Sequence, residues 1–309
     1  DNAADYTQIA YEPEYASGFR ILRNPADTNL LTLEVYRPDT MHIAIPRGGF
    51  RAMVCMSSTY VGALSTLGAD DRIAAISGSR YLTNRAVAER VPDVGYEGAM
   101  DYETLLSVKP DLALIYGVGG ESAIASKLEE LSVPYIYIAD FEEQNPLGRA
   151  EWIAAIGALA GVDGSLKFNE IQSAYRPDSD SIAAVMVNAP YSGSWFIPGA
   201  ENYMSQLLHD AGARLTAPQP AGVESRPIDL EEALPALRHA DFWLNPGQVE
   251  TVEQVRALVP KADFNGQIWN QTPDFFESGA SHPELVLDEL KQIFRSTAPD
   301  SMRYFRRIK

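Results

Sequence analysis

The chain contains a single cysteine among its 309 residues, and it has no basic tract and no long apolar run. One cysteine cannot form an internal disulfide, and Cys55 has no neighbouring histidine or aspartate that could activate a thiolate. We therefore interpret Cys55 as a small buried residue on a strand. No apolar run approaches the ~20 residues that a membrane-spanning helix needs.

Positive charge is scarce, since 42 acidic residues against 25 basic residues give a net charge of −17. This balance disfavours binding to nucleic acid or to an anionic membrane, whereas a protein partner with positive patches is compatible with it. No two of the four histidines stand at the spacing of metal ligands, so no metal site is expected. The sequence also lacks a Walker loop and a Gly-x-Ser-x-Gly elbow.

The first 48 residues are typical of β structure. "FRIL" is followed by the turn signal Asn24–Pro25, and "LLTLEVY" alternates apolar and polar residues with period two. "MHIAIP" adds a third candidate strand. We expect a β hairpin extension laid against the edge of a larger sheet.

From residue 50 onward, short apolar strands such as "FRAMVCM" and "DLALIYG" alternate with helices. This alternation favours a parallel sheet that is covered on both faces. Residues 146–175 then show helical spacing without any strand, apart from a dent at Gly161–Gly164. The segment predicts one long linking helix.

The second half of the chain repeats the pattern of the first. "SIAAVMV" parallels "FRAMVCM", "DLEEALPAL" parallels "DYETLLSV", and "ADFWLNPG" parallels "PDLALIYG". The predicted fold class is α/β, with two Rossmann-like lobes that contain parallel sheets and are joined by a single long helix. The predicted boundaries are 1–145 for the N-terminal lobe with its β extension, 146–176 for the linking helix and 177–309 for the C-terminal lobe.

Loops that follow the predicted strands carry six aromatic residues and two arginines. Ligands of open parallel sheets bind beyond the carboxyl ends of the strands, so two facing lobes would enclose a cleft lined by these loops. Aromatic faces with a few guanidinium donors suit a bulky, flat and partly anionic ligand, although any single aromatic residue could equally cap a strand end. The candidate ligand-binding residues are Tyr60, Arg80, Tyr81, Tyr116, Trp195, Phe196, Arg226 and Trp269.

Glu103 and Glu231 stand at the beginning of equivalent predicted helices. A carboxylate in the first turn gains ~0.3–1 kcal/mol from the helix dipole, which is a sufficient explanation for either residue alone. Two such residues at matched places in two matched lobes indicate a paired docking surface for a basic partner. Such positions would be too far apart for a catalytic carboxylate pair.

The segment "DLALIYGVGGESAIASKLEEL" favours a different class of function. Gly117-x-Gly119, with Ser122 at the third glycine position and Asp140 after the next strand, imitates a dinucleotide-binding fingerprint. A nucleotide-dependent enzyme or a chelatase on a similar two-lobed fold is therefore the alternative function. A structural or adhesion module, which would have no ligand cleft, is a third class.

Several motifs, taken in order, resemble the substrate-binding proteins of bacterial ABC importers for iron–siderophores, haem and vitamin B12. They are "VCMSSTYVGALSTLGADDRIAAISG", "VGYEGAMDYETLLSVKPDLALIYG", "LEELSVPYIYI", "DFEEQNPLGRAEWIAAIGAL" and "SWFIPGAENYMSQLLHDAGA". The resemblance extends from about residue 50 to the C-terminus, and the run of motifs rather than any single one is specific. The family fold, two Rossmann-like lobes bridged by one helix, agrees with the fold predicted from the residues.

The resemblance implies a protein that performs no covalent chemistry and needs no cofactor. It implies capture of a metal chelate, foremost a ferric siderophore and otherwise haem or cobalamin, followed by delivery to ABC permease subunits. By motif, the family's permease-docking glutamates fall on Glu103, in "DYETLL", and on Glu231, in "DLEEAL", with Glu232 adjacent. A monomer in the periplasm, with a lipid anchor on a cysteine upstream of residue 1, is the expected state.

Overall fold

A computed structural model describes residues 5–178 and 183–309 of the chain. These residues fall into two units, each with its own parallel sheet. Unit 1 comprises the chain up to Glu143 together with Leu147–Ser173 and Phe276–His282, and unit 2 comprises Gln144–Pro146, Ala174–Phe275 and Pro283–Lys309. None of the described helices has the length and apolar character needed to cross a membrane.

The N-terminal segment forms a four-stranded antiparallel sheet in the order β1-β2-β3-β4. Its strands are β1 (Gln8–Tyr11), β2 (Phe19–Asn24), β3 (Asp27–Val35) and β4 (Met41–Ile45). This sheet differs from the predicted hairpin, because it has four strands and none of them pairs with the parallel sheet. The chain leaves β4 through Gly48 and Gly49, which both have positive φ, and a Cβ on Gly49 would lie 2.3 Å from the Ala160 carbonyl carbon. This close approach packs the loop that follows β4 against the backbone of residues 160–161.

The rest of unit 1 contains a parallel sheet in the order β10-β9-β5-β6. Its two central strands, "MVC" and "LALI", are continuous apolar runs that are buried along their whole length, as the sequence predicts for a doubly covered sheet. Cys55 is fully buried on β5, which confirms its predicted role as a core residue. The elements are β5 (Met53–Cys55), α1 (Ser58–Thr66), β6 (Ile73–Ile76), α2 (Arg85–Arg90), β7 (Gly95–Tyr96), β8 (Ala99–Met100), α3 (Tyr102–Ser107), β9 (Leu112–Ile115), α4 (Ala125–Glu130) and β10 (Tyr135–Tyr137).

Two helices, α5 (Pro146–Ala160) and α6 (Gly164–Ala174), replace the single long helix that the sequence predicts. Gly161 has a φ of +75°, which ends α5. A Cβ on Gly164 would lie 2.1 Å from the Ile153 carbonyl oxygen, so the start of α6 packs directly on the backbone of α5. The two glycines therefore do not interrupt a single helix. Gly161 forms the turn between α5 and α6, and Gly164 allows the close contact between these helices.

Unit 2 contains a second sheet in the order β14-β11-β16-β17-β18, in which only β18 is antiparallel, and a small antiparallel sheet in the order β12-β13-β15. Its first elements are β11 (Ala183–Val187), β12 (Pro190–Tyr191), β13 (Ser194–Ile197), α7 (Tyr203–Asp210), β14 (Ala213–Leu215), β15 (Arg226–Ile228) and α8 (Leu230–Arg238). They are followed by β16 (Phe242–Leu244), α9 (Val252–Leu258), β17 (Gln267–Gln271), α10 (Pro273–Glu277), α11 (Pro283–Phe294) and β18 (Phe305–Ile308).

The four parallel strands of each unit have the same order. In unit 1 the strand that comes first in the chain, β5, lies between the second strand, β6, and the third strand, β9. In unit 2, β11 lies in the same way between β14 and β16. The repeated sequence pattern thus corresponds to a repeated topology, and we retain 1–145, 146–176 and 177–309 as the proposed domain boundaries.

A buried carboxylate of α5 holds the turn between β1 and β2. Glu151 is 1% exposed, and its carboxylate accepts hydrogen bonds of 2.7–2.8 Å from the Tyr11 hydroxyl and from the backbone N–H groups of residues 14–16. Burial, and after it the hydrogen bond to this carboxylate, raises the pKa of Tyr11 well above its usual value. Four hydrogen-bond donors thus stabilise the buried carboxylate of Glu151, which has no cationic partner among these contacts.

Glu143 holds the next residues of the same turn. Its carboxylate accepts hydrogen bonds of 3.0 Å from the backbone N–H groups of Ser17 and Gly18, and one of 2.9 Å from the Trp152 indole. A Cβ on Gly18 would lie 2.6 Å from the Trp152 ring, so this close packing requires glycine. The antiparallel sheet is therefore attached to α5 through specific buried contacts.

Candidate functional site

The carboxyl ends of the parallel strands position the candidate site in each unit. In a sheet of this order, successive connections leave the first strand in opposite directions, and ligands bind in the crevice that this switch opens. This switch point falls between the ends of β5 and β9 in unit 1 and between the ends of β11 and β16 in unit 2.

Two of the predicted residues lie together in the loop after β6 in unit 1. Tyr81 is 61% exposed, and the guanidinium carbon of Arg80 lies 4.5 Å from the centre of its ring. This distance is typical of a cation–π contact. The pair presents an aromatic face and a positive charge at one place.

Tyr116 follows β9 and is partly buried. Its ring makes an edge contact with Phe141, with the ring centres 6.5 Å apart. Phe141 follows β10 and is 37% exposed. Sequence reasoning missed Phe141, although its position directly after the strand "YIYIAD" is the same signal that identified Tyr116.

The predicted ligand contact of Tyr60 is not compatible with its position. Tyr60 is 1% exposed on α1, and its hydroxyl donates to the Ile138 carbonyl oxygen at 3.0 Å. Burial raises the pKa of this phenol well above its usual value. The ring packs in the core of unit 1 because α1 turns this face toward the sheet, so Tyr60 offers no surface to a ligand.

The small antiparallel sheet of unit 2 presents an aromatic outer face. Ser192 and Gly193 both have positive φ and form the two-residue turn that joins β12 to β13. Phe196 is 41% exposed and Tyr191 is 75% exposed on this hairpin. Tyr191 was not among the predicted residues, although it belongs to the same loop sequence, "YSGSWF".

Trp195 and Trp269 are core residues, which corrects the prediction that they contact a ligand. Trp195 is 0% exposed, donates its indole N–H to the Val187 carbonyl oxygen at 2.8 Å, and packs against Trp243. Trp269 is 1% exposed and lies on β17, where the sequence suggested a loop. On β13 the side chains alternate, so Trp195 points inward and its neighbour Phe196 points outward.

Arg226 is exposed on β15, but a carboxylate partly neutralises it. Its guanidinium donates to Glu232 at 2.8 Å. The next residue, Pro227, lies opposite Phe196 in the sheet register. Arg226 itself lies opposite Ile197, so its side chain alternates with that of Pro227, and its charge is shared with an acid.

Two asparagines at the carboxyl ends of β11 and β16 adopt left-handed backbone conformations. The φ values are +64° for Asn188 and +58° for Asn245. The Asn188 side chain donates to the Phe196 carbonyl oxygen at 2.9 Å, which ties the hairpin to the end of β11. The Asn245 side-chain oxygen is buried and has no hydrogen-bond partner among the described residues.

The glycine loop after β9 is closed, which argues against nucleotide binding there. A Cβ on Gly117 would lie 2.0 Å from the Gly120 carbonyl oxygen. The backbone N–H of Ser122 donates to the Tyr137 hydroxyl at 2.8 Å, and that of Ala123 donates to Glu97 at 2.6 Å. Protein side chains thus occupy the N–H groups ahead of α4 that a phosphate would need.

Glu103 and Glu231 are both exposed and lie in the first turns of α3 and α8. Aspartates cap these helices, because Asp101 accepts from the Thr104 N–H and Asp229 accepts from the Glu232 N–H, each at 2.9 Å. Each glutamate is the second helical residue of its helix. Within 5–178 and 183–309, no group of three acidic, histidine or cysteine side chains is arranged to hold a metal ion.

A family model described as periplasmic binding protein matches residues 53–257 of the chain. Two uncharacterized lipoproteins from Methanocaldococcus jannaschii are each 23% identical to it, over 230 and 246 residues. These alignments cover 70% and 71% of this chain, and they span 55% and 62% of the length of the relatives.

Solved structures share the fold at low sequence identity. A periplasmic heme-binding protein from Pseudomonas aeruginosa has a TM-score of 0.62 and 15% identity, covering 84% of this chain and 98% of that chain. A periplasmic vitamin B12-binding protein from Vibrio cholerae has a TM-score of 0.54 and 12% identity, covering 80% and 97%. An ABC-type Fe3+-hydroxamate transport protein from Saccharomonospora viridis has a TM-score of 0.56 and 16% identity, covering 84% and 97%. The predicted α/β fold with parallel sheets in two lobes is confirmed.

Proposed function

The chain belongs to the periplasmic binding protein family, and from this premise we propose that it captures a metal chelate and delivers it to an ABC permease. Proteins of this family bind and release their substrates without turnover. The chain is accordingly a substrate-binding protein and not an enzyme, as the sequence predicts. The closed glycine loop also removes the main support for the nucleotide-dependent alternative.

The observation that carries the chelate proposal is the set of exposed rings at the carboxyl ends of both parallel sheets. Tyr81 and Phe141 supply such rings in unit 1, where the partly buried Tyr116 makes an edge contact with Phe141, and Tyr191 and Phe196 supply them in unit 2. Flat rings of this kind stack well on the conjugated surfaces of a chelate, and they bury large apolar areas. Arg80 and Arg226 add cationic donors for acidic groups of the ligand.

The proposed ligand is a ferric siderophore, haem or cobalamin, and of these we expect a ferric siderophore foremost. The related structures support this range, since one is of a heme-binding protein, one of a vitamin B12-binding protein and one of a Fe3+-hydroxamate transport protein. We retain Arg80, Tyr81, Tyr116, Phe196 and Arg226 as proposed ligand contacts. Phe141 and Tyr191 join them.

The permease is the proposed protein partner, and Glu103 and Glu231 are the proposed docking residues. Both side chains are exposed, and both project from the first turn of a short helix where a basic side chain can reach them. The excess of negative charge on the chain favours association with a positively charged surface. A monomer is sufficient for this role, since each copy carries both glutamates.

This function requires a location outside the cytoplasmic membrane, in the periplasm or at the outer surface. The two relatives from Methanocaldococcus jannaschii are named lipoproteins, which supports attachment to a membrane through a lipid. For this chain, a lipid anchor on a cysteine upstream of residue 1 is part of the proposal.

A binding panel tests the proposed function. Calorimetric titration with a ferric tris-catecholate, a ferric trihydroxamate, haem and cobalamin should give saturable binding of at least one chelate at one site, with the chelate recovered unchanged. The iron-free siderophores and the dinucleotide NAD serve as controls and should bind weakly or not at all. Saturable binding of NAD together with no binding of any chelate would contradict the proposal.

A further inference from the structure

A short segment from the second half of the chain is built into unit 1. Residues 276–282, which include the end of α10, belong to unit 1 by their contacts. Glu277, Ser278, Ala280 and Ser281 are each 3–6% exposed, so most of the segment is a buried part of that unit. Its place in the sequence, inside the predicted C-terminal lobe, gives no sign of this position.

The segment runs along one face of α1. The Phe276 carbonyl oxygen accepts a hydrogen bond of 2.8 Å from the Thr59 hydroxyl in the first turn of α1. At the other end of the segment, Nε2 of His282 lies 2.9 Å from the hydroxyl oxygen of Thr66, the last residue of α1. Because only two residues separate the end of β5 from the start of α1, Phe276 lies at the carboxyl end of β5.

Glu277 fixes the segment both to α1 and to the loop after β6. A Cβ on Gly62 would overlap the Glu277 carbonyl oxygen, so this close approach to α1 requires glycine. The Glu277 carboxylate accepts hydrogen bonds from the backbone N–H groups of Thr83 and Asn84, the second at 3.0 Å. Since Tyr81 lies two residues before Thr83, the same glutamate holds the loop that carries Tyr81.

Exposed apolar side chains gather at this edge of the unit 1 sheet. Phe276 is 56% exposed, and the loops after β6, β9 and β10 contribute Tyr81 at 61%, Val118 at 81% and Phe141 at 37%. One exposed apolar residue is normal on a protein surface, whereas several at one edge mark a binding surface. The hydrogen bonds of its backbone and of Glu277 hold Phe276 in place before any ligand arrives.

We propose that Phe276 is a further ligand-contacting residue of the unit 1 edge, and that its ring stacks on the captured chelate. This inference rests on the proposed function, to which it adds a contact from the second half of the sequence. A ring on a fixed backbone loses little conformational freedom when the ligand binds, so more of its stacking energy appears as affinity.

The test measures dissociation constants by calorimetry with a ferric tris-catecholate, a ferric trihydroxamate, haem and cobalamin. Phe276→Ala removes the ring, Phe276→Tyr retains it, and Leu166→Ala, on the exposed surface of α6, is the control. For a chelate that wild type binds, Phe276→Ala should raise the dissociation constant about five- to tenfold. Phe276→Tyr and Leu166→Ala should stay within about twofold of wild type. The melting temperature of the free protein should be unchanged in all three variants.

Phe276→Trp supplies a readout that a purely structural role would not change. The four natural tryptophans are core residues with exposed fractions of 0–1%. The added indole should therefore give red-shifted emission that iodide quenches. Saturation with the bound chelate should diminish this emission and protect it from iodide, with the dissociation constant that calorimetry gives for the same variant.

Three results would overturn the inference alone. They are unchanged affinity of Phe276→Ala for a chelate that wild type binds, emission of Phe276→Trp that saturating chelate does not alter, and a loss of affinity in Phe276→Ala that comes with a lower melting temperature. If wild type binds none of the four chelates, the proposed function itself fails, and the inference fails with it.

Discussion

Glu103 and Glu231 occupy the same local position, the second helical residue after an aspartate cap, in helices that belong to different units. Both helices precede the third parallel strand of their unit, β9 or β16. The repeated topology therefore presents a repeated acidic position. A first-turn carboxylate is worth only ~0.3–1 kcal/mol to a helix, so the two residues can be changed with little effect on folding.

Reversal of both charges tests the docking proposal. We expect the double variant Glu103→Lys and Glu231→Lys to lose chelate uptake in cells that express it with its ABC importer, because each lysine would repel a basic permease surface. The chelate affinity of the purified protein should stay within about twofold of wild type, since neither residue is a proposed ligand contact.

Glu253→Lys is the matched control for the docking variant. Glu253 is also exposed and is the second residue of α9, after the cap Thr251. Its reversal should leave uptake intact. Uptake by the double variant at the wild-type rate would remove Glu103 and Glu231 from the docking surface, and a large loss of affinity would place them in the ligand site instead.

Removal of the most exposed ring of the unit 1 edge should weaken ligand binding. Tyr81→Ala deletes the stacking face and leaves the Arg80 guanidinium without its aromatic partner. We expect the dissociation constant of the bound chelate to rise about fivefold or more, as measured by calorimetry. Leu166→Ala removes an apolar side chain that is 64% exposed on α6 and should have no effect. Equal affinities for Tyr81→Ala and wild type would exclude Tyr81 from the site.

Fluorescence offers a separate check on which rings are accessible. All four tryptophans are core residues, with exposed fractions of 0–1%. The wild-type protein should therefore show blue-shifted emission that iodide quenches poorly. Tyr81→Trp should add a red-shifted component that iodide quenches and that diminishes when the chelate binds. Strong iodide quenching of wild type would contradict the buried positions of Trp195 and Trp269.

A buried acid of the antiparallel sheet should make folding stability depend on pH. Glu34 is 6% exposed, and it accepts hydrogen bonds from Arg20 at 2.6 Å, from the Tyr36 hydroxyl at 2.9 Å and from His42. Burial on its own would raise the pKa of Glu34, but these hydrogen bonds outweigh burial and lower it. The ionised form is therefore favoured in the folded protein.

The folded-state pKa of Glu34 lies below its unfolded value. The ionised side chain therefore adds to the free energy of unfolding above about pH 4.5, and this stabilisation is lost as the pH falls through the folded pKa. Glu34→Gln should lower the free energy of unfolding by about 1.5–3 kcal/mol at pH 7. This difference from wild type should shrink at pH 3, as measured by urea denaturation at both values. A difference that stays constant or grows toward low pH would contradict the assignment.

The single thiol should be unreactive in the native protein. Burial raises the pKa of the Cys55 thiol, and the side chain has no exposed surface. A disulfide reagent should therefore label the native chain very slowly even at pH 8.5, and label it fully in denaturing urea. Glutathione at the same pH serves as the control for reagent activity. Rapid labelling of the native chain would show that β5 opens.

The sequence predicts the elements of the fold well because each has a local cause. Continuous apolar runs identify the parallel strands, and Ser57, a residue type that favours the N-cap position, caps α1 by accepting from the Thr59 N–H at 3.3 Å. Gly68, with a φ of +68°, follows the last turn of α1 and favours the end of the helix there. These signals depend only on neighbouring residues.

The site is harder to predict, because the direction of a side chain at the end of a strand depends on packing. Trp195 and Phe196 are adjacent and both aromatic, yet the alternation of β13 buries one and exposes the other. Tyr60 points toward the sheet because of its position on α1, which sequence spacing alone does not reveal. Asn245 carries no sequence signal, since its left-handed backbone and unpaired oxygen arise only in the folded chain.

Glu143 and Glu151 are both buried in unit 1, and both bind the turn of the antiparallel sheet between β1 and β2. Each carboxylate takes several of its donors from the turn at residues 14–18, so deletion of that turn would leave two charges with too few hydrogen bonds. Positions 143 and 151 therefore share a constraint with residues 14–18 in any chain that keeps this sheet. Homologous proteins that keep the sheet should retain a hydrogen-bond acceptor at both positions.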